Sequence, residues 1–166
     1  FAEVSSEEMM GLGIGISYAP DVVEFNKETR TIQNVQGAAG SGNDTGDQII
    51  DGKITDLLGI YLTMPVMDTG AYVKAGYIQA SFTTEEVLAT GSKYEDIDMT
   101  GLQVAGGYEG SIGDMAFWRA EGSYQMWEDL SASGNESNFG TTDTTKNKIT
   151  AELGSITGSL SIGVKF

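Results

Sequence analysis

Leu160, Ile162, Val164 and Phe166 alternate with Ser159, Ser161, Gly163 and Lys165 along one stretch of the chain. A period of two puts all the apolar side chains on one face of an extended strand and the small or polar ones on the other. The stretch runs to the last residue and stops on an aromatic, so it is expected to be tied into a sheet rather than left to fray. The pattern recurs upstream. Met10, Leu12, Ile14, Ile16 and Tyr18 alternate with Gly11, Gly13, Gly15, Ser17 and Ala19. Ile54, Leu58, Ile60, Leu62 and Met64 read as one apolar face, interrupted by Asp56, and a further strand covers 71–82. Leu102, Val104, Gly106 and Tyr108 face away from Gln103, Ala105, Gly107 and Glu109. Trp118, Ala120, Gly122, Tyr124 and Met126 face away from Phe117, Arg119, Glu121, Ser123 and Gln125. With the last strand placed within 147–166, six strands are legible.

The chain is read as a single all-β domain, 1–166. It has 23 Gly against 2 Pro, which suits strands and turns better than packed helices. No apolar run approaches the roughly 20 residues of a membrane-spanning helix. A mean hydropathy of −0.14 is nevertheless compatible with a membrane barrel, because only alternate residues of its strands meet lipid. No signal-peptide pattern is visible at the start, and Phe1-Ala2-Glu3 reads as following a removed signal. The chain has no Cys, so neither a disulfide framework nor thiolate chemistry is available. Its net charge of −15, from 9 Lys and Arg against 24 Asp and Glu, comes without any basic cluster. A nucleic-acid partner is therefore not expected.

Connections alternate in length. Turns at 65–70 and 110–114 are short, whereas 20–52, 84–97 and 129–146 read as long polar loops, and 1–9 as a polar N-terminal segment. Short turns at one end and long loops at the other is the asymmetry of outer-membrane barrels. The expected architecture is a small antiparallel up-and-down transmembrane β-barrel, with eight strands as the smallest even number of that class. The two further strands have two possible sources. One is a hairpin of Val22–Phe25 with Arg30–Val35 around 26–29; the other is a hairpin preceding Phe1.

From residue 57 onward the chain resembles the small bacterial outer-membrane β-barrel family related to OmpX, OmpW and the OmpA barrel. The resemblance rests on Tyr72-Val-Lys-Ala-Gly-Tyr77 after a short turn, on Gly106-Gly-Tyr-Glu109, on Arg119-Ala-Glu-Gly-Ser-Tyr124 and on the terminal Phe166. The chain departs from the family's C-terminal pattern at Val164, where Tyr is frequent. The resemblance implies a bacterial outer-membrane location among lipid and lipopolysaccharide. It also implies recognition of Leu160, Ile162, Val164 and Phe166 by the barrel assembly machinery, with a homo-oligomer or larger envelope complex left open. The roles it implies are envelope integrity, surface adhesion or passage of small apolar molecules.

A Lys or Arg facing lipid at mid-bilayer costs about 2–4 kcal/mol, so charges within the strands must point inward. That reading assigns Lys74, Gln103, Glu109, Arg119 and Glu121 to a polar network in the lumen. Tyr18, Tyr108, Trp118, Tyr124 and Phe166 read as members of interfacial aromatic girdles. No catalytic, cofactor or metal residue is assigned. With no His in the chain, a Ser-His-Asp hydrolase is unavailable, and an enzyme is not expected. The run Gly11-Leu-Gly-Ile-Gly15 lacks the third glycine at the spacing of a dinucleotide loop, sits inside an alternating strand and reads as glycines on a crowded inner face. The run Asn43-Asp-Thr-Gly-Asp47 lacks calcium-loop spacing and reads as ordinary connection. The expected function is therefore a non-enzymatic, structural or surface-interaction barrel. The alternatives are a narrow porin-like channel for small hydrophobic solutes, or a soluble or assembly-subunit β-barrel.

Overall fold

Extended, paired backbone runs through most of the described residues. The computed structural model describes residues 1–6, 8, 10–35, 44–87, 95–137 and 146–165. These form nine strands: β1 (Ala2–Ser6), β2 (Leu12–Val35), β3 (Asp44–Pro65), β4 (Ala71–Val87), β5 (Ile97–Ile112), β6 (Ala116–Trp127), β7 (Leu130–Ser137), β8 (Lys146–Ala151) and β9 (Gly154–Val164). Seven of them make one antiparallel sheet in the order β1-β2-β3-β4-β5-β6-β9, curled into a half-barrel. The remaining pair, β7 and β8, is a separate antiparallel ribbon that prolongs the β6–β9 hairpin. No α-helix occurs among the described residues.

Three connections at one end are short. The connection between Ser6 and Leu12 is closed by the Gly11 amide donating to the Ser6 carbonyl, and the 66–70 turn by the Val66 amide donating to the Ala71 carbonyl. The third spans 113–115. At the other end, much of what reads as long loop in the sequence is strand. β2 runs on to Val35 and β3 begins at Asp44, with Val35 opposite Asp44. Likewise β4 reaches Val87, and β7 takes up Leu130–Ser137 of the 129–146 segment. The reason is that backbone pairing needs no apolar face. Residues 21–25 are all exposed, so these arms carry no alternation to reveal them.

Two further expectations are corrected. No local hairpin forms around 26–29, because β2 passes straight through and Phe25 and Glu28 pair with Gly52 and Ile50 of β3 across a bulge. The segment 1–9 is not merely polar lead-in, since Ala2–Ser6 form β1 and pair with Leu12–Ile16.

A second bulge changes the meaning of β3. Thr55 pairs with Ser81 and Leu58 with Gln79, so Asp56 and Leu57 together oppose Ala80. Asp56 takes φ 56°, the left-handed conformation that a bulge requires and that Asp tolerates better than most residues. One inserted residue inverts the alternation. Leu58, Ile60, Leu62 and Met64 consequently face outward, while Ile54 points inward with Leu57 and not with them.

The two faces of the sheet are chemically distinct. The outer face exposes Ile14, Ile16, Ile60, Val104, Leu160 and Ile162 among others. Inside lie Tyr61, Thr63, Tyr72, Ile78, Arg119 and Gln125, all buried. Close packing within the curl explains the glycines of β2. A Cβ on Gly15 would overlap the Tyr61 ring, and one on Gly13 would overlap Thr63. Gly15→Ala should therefore destabilise by about 1–3 kcal/mol through overpacking. Gly122→Ala, where a Cβ meets nothing within 4 Å, should stay within about 0.5 kcal/mol. Denaturant midpoints of the two variants compare them directly; equal shifts would show that the interior is not close-packed at Gly15.

Candidate functional site

β4, β5 and β6 lie side by side, with Lys74 paired to Ala105 and Glu109 to Arg119 across the ladders. Inward-facing positions on these three strands bring their charged side chains to one level near the short-turn end. Lys74 forms an ion pair with Glu121, both side chains 9 % exposed. The Tyr72 hydroxyl donates to the other oxygen of Glu121 at 2.8 Å. The Lys74 ammonium also sits 4.7 Å from the centre of the Tyr61 ring.

Arg119 is the hub of a second group. Its Nη1 donates to Glu3 Oε2 at 3.0 Å and its Nη2 to Glu3 Oε1 at 3.2 Å, a two-point pairing with the first strand. Its Nη2 and Nε donate to Glu109 Oε2 at 2.8 and 3.2 Å. Glu109 also accepts from Lys165 Nζ at 2.8 Å. Aromatic faces surround the guanidinium, with Tyr72 4.7 Å and Phe1 4.8 Å from it. Phe1 in turn meets Phe117 edge-on, their centroids 6.1 Å apart. Arg119 and Glu121 do not bond directly. Tyr72 joins their groups by stacking on one and donating to the other.

The ion pairs balance three cations, Lys74, Arg119 and Lys165, against three carboxylates, Glu3, Glu109 and Glu121. The chain's excess negative charge of 15 therefore lies wholly outside this group. Gln103 is half-buried on the same inner face, in register with Gln125 and Gly76. Above it the interior becomes apolar. Ala80, Met99 and Leu130 are buried, with Ile54, Leu57, Phe82, Ile97, Trp127 and Leu153 packed against them. The break between β6 and β7 shapes this upper layer. There the Trp127 amide donates to Leu153 and the Glu128 amide to Thr100, which turns Leu130 and Leu153 inward.

Four girdle candidates are placed, and all point outward. Trp118 stacks on Tyr108 at 5.9 Å near the short turns. Tyr18 lies nearer the other end, its hydroxyl donating to Asp56 at 2.5 Å. Tyr124 falls between these levels, opposite Val104 and Ile156. Leu160, Ile162 and Val164 are 78 %, 77 % and 62 % exposed on β9. Phe166 lies outside the described residues, as do Asn43 and the side chains at 44–47. No cluster of three or more acidic side chains that could hold a metal ion occurs among the described residues.

Glu3, Lys165, Tyr61 and Tyr72 complete the group and were not assigned from the sequence. Alternation in Glu3-Val4-Ser5 signals β1 only once its partner Gly13–Ile16 is recognised. The interior tyrosines alternate correctly with outward Leu62 and Val73, but tyrosine in a barrel reads more readily as girdle. Comparison with family models, with curated proteins and with solved structures finds no match to this chain.

Proposed function

We propose that this chain is a non-enzymatic β-barrel protein of a bacterial outer membrane, with a structural or surface-interaction role. The observation that carries the reading is the inversion of the two faces. Branched apolar side chains cover the outside of the curled sheet, while ion pairs and hydroxyls fill the inside. A water-soluble barrel has the opposite arrangement. The 11 residues of β9, rising about 3.3 Å each at a tilt of about 40°, span about 25 Å, the height of a lipid-facing band. In this reading the barrel is completed to eight strands, and the short turns face the periplasm.

A solute channel is less favoured. The lower interior is occupied by the Arg119 and Lys74 groups and the upper interior by the apolar cluster, as expected for so narrow a barrel. Acyl or peptide hydrolysis through a His base has no residue to perform it. The long paired arms and the acidic surface suit contact with other molecules outside the cell.

The test is extraction and gel mobility. The protein should enter the detergent phase on phase separation and migrate faster unheated than boiled, because a sheet with its backbone paired resists unfolding by detergent. Recovery in the aqueous phase after mild lysis would sink the membrane reading and favour the soluble assembly subunit.

A further inference from the structure

The main sheet has an odd number of strands, and every neighbour in it is antiparallel. Its two edges, β1 and β9, therefore run in the same direction, from the long-connection end toward the short turns. Direct closure would require a parallel seam, the one kind of pairing the sheet uses nowhere among the described residues. A single strand running the opposite way would pair antiparallel with both edges.

The edges also carry the marks of strands meant to be paired. Between Gly154 and Val164, β9 has no charge and no Pro, so it lacks the usual protection of an exposed edge. Ile156, Leu160 and Ile162 continue the outer apolar band right up to that edge. On the opposite edge Val4 is 75 % exposed and faces outward, while Glu3 is drawn inside by Arg119. The inner face along β9 consists of Ser155, Thr157, Ser159, Ser161 and Gly163, an uncharged edge that offers four hydroxyls as hydrogen-bonding partners.

We propose that the seam between β1 and β9 receives one extended strand from outside these nine. That strand runs from the short-turn end upward, antiparallel to both edges. Its outward positions are branched apolar residues that continue the band, and its inward positions are uncharged and hydroxyl-bearing, matching the serines and threonine of β9. A second copy of this chain does not fit, because the terminal strands of its main sheet are again β1 and β9. Rotation about the barrel axis presents them parallel, and antiparallel pairing would turn the copy end for end. That exclusion alone rests on the membrane reading; the strand parity does not.

The chain contains no cysteine, so introduced thiols report contacts cleanly. The probe is a ten-residue peptide of alternating Val and Thr with one Cys near either its N- or C-terminus, added to folded Val4→Cys, Ile156→Cys and Val164→Cys variants. The N-terminal-Cys peptide should form a disulfide with Val164→Cys at least ten-fold more than with Ile156→Cys. The C-terminal-Cys peptide should show the reverse preference, and Val4→Cys should capture the N-terminal-Cys form. Protection of alternate β9 amides from hydrogen exchange on adding the peptide checks the same contact without mutation. Three results would each overturn the proposal: a Val4→Cys/Val164→Cys disulfide without peptide, which means parallel self-closure; disulfide-linked dimers of the chain; or no capture of peptide at either edge.

Discussion

Replacing Arg119 by Met should destabilise the protein by about 3–5 kcal/mol, the usual cost of removing one partner from a buried ion pair. Arg119 is only 8 % exposed, and its guanidinium donates to two carboxylates and stacks among aromatic rings at once. Without it Glu109 keeps Lys165, but Glu3 loses both of its charge-assisted hydrogen bonds to Arg119. The damage should therefore be local first. β1 is a five-residue edge strand, and the Glu3 pairing ties it across the interior to β6. In Arg119→Met, amides of β1 should exchange faster than those of β4 and β5. The double variant Arg119→Met/Glu3→Gln should be more stable than the sum of the single changes predicts, by about 0.5–3 kcal/mol. Strict additivity in denaturant titrations would mean that the pairing in the structure contributes no coupling.

The parts of this architecture that were legible in the sequence are those where one face meets something different from the other. Val104 against Gln103, or Trp118 against Arg119, shows the strand and its orientation without further information, because burial and solvation impose opposite demands on neighbours. That logic fails in three places for distinct reasons. Where both faces of a hairpin arm are wet, as at 21–25, the sequence loses its period although the backbone stays paired. Where a bulge inserts a residue, as at Asp56, the period persists but its phase flips, which moved Ile54 from the outer face to the inner. At an edge such as β1, five residues are too few to establish a period at all. The network around Arg119 was half legible for a related reason. Alternation places a charge inside, but which carboxylate it meets depends on curvature, and Glu3 arrives from a strand 116 residues away.

A lysine at Val104 should cost about 2–4 kcal/mol if the outer face meets lipid at mid-height. Val104 is 46 % exposed in the isolated chain. Its ladder neighbours Ala75 and Tyr124 also point outward, so the ammonium would have no inward route. Were that face in water, the same change would remove little burial and stay within about 0.5 kcal/mol. Ser159→Lys is the control on the inner face, where β9 is lined by serines and the ammonium can reach solvent or Glu121, opposite it in the ladder. The two environments differ in the size of the effect, because an ammonium at 159 stays solvated and one at 104 would not. Nitroxide labels separate them without relying on stability. A label at 104 should be relaxed by oxygen dissolved in the membrane, and one at 159 by a water-soluble nickel complex. Both labels responding to nickel alone would place the whole sheet in water, and the exchanged pattern would mean that the curl presents its polar face to lipid.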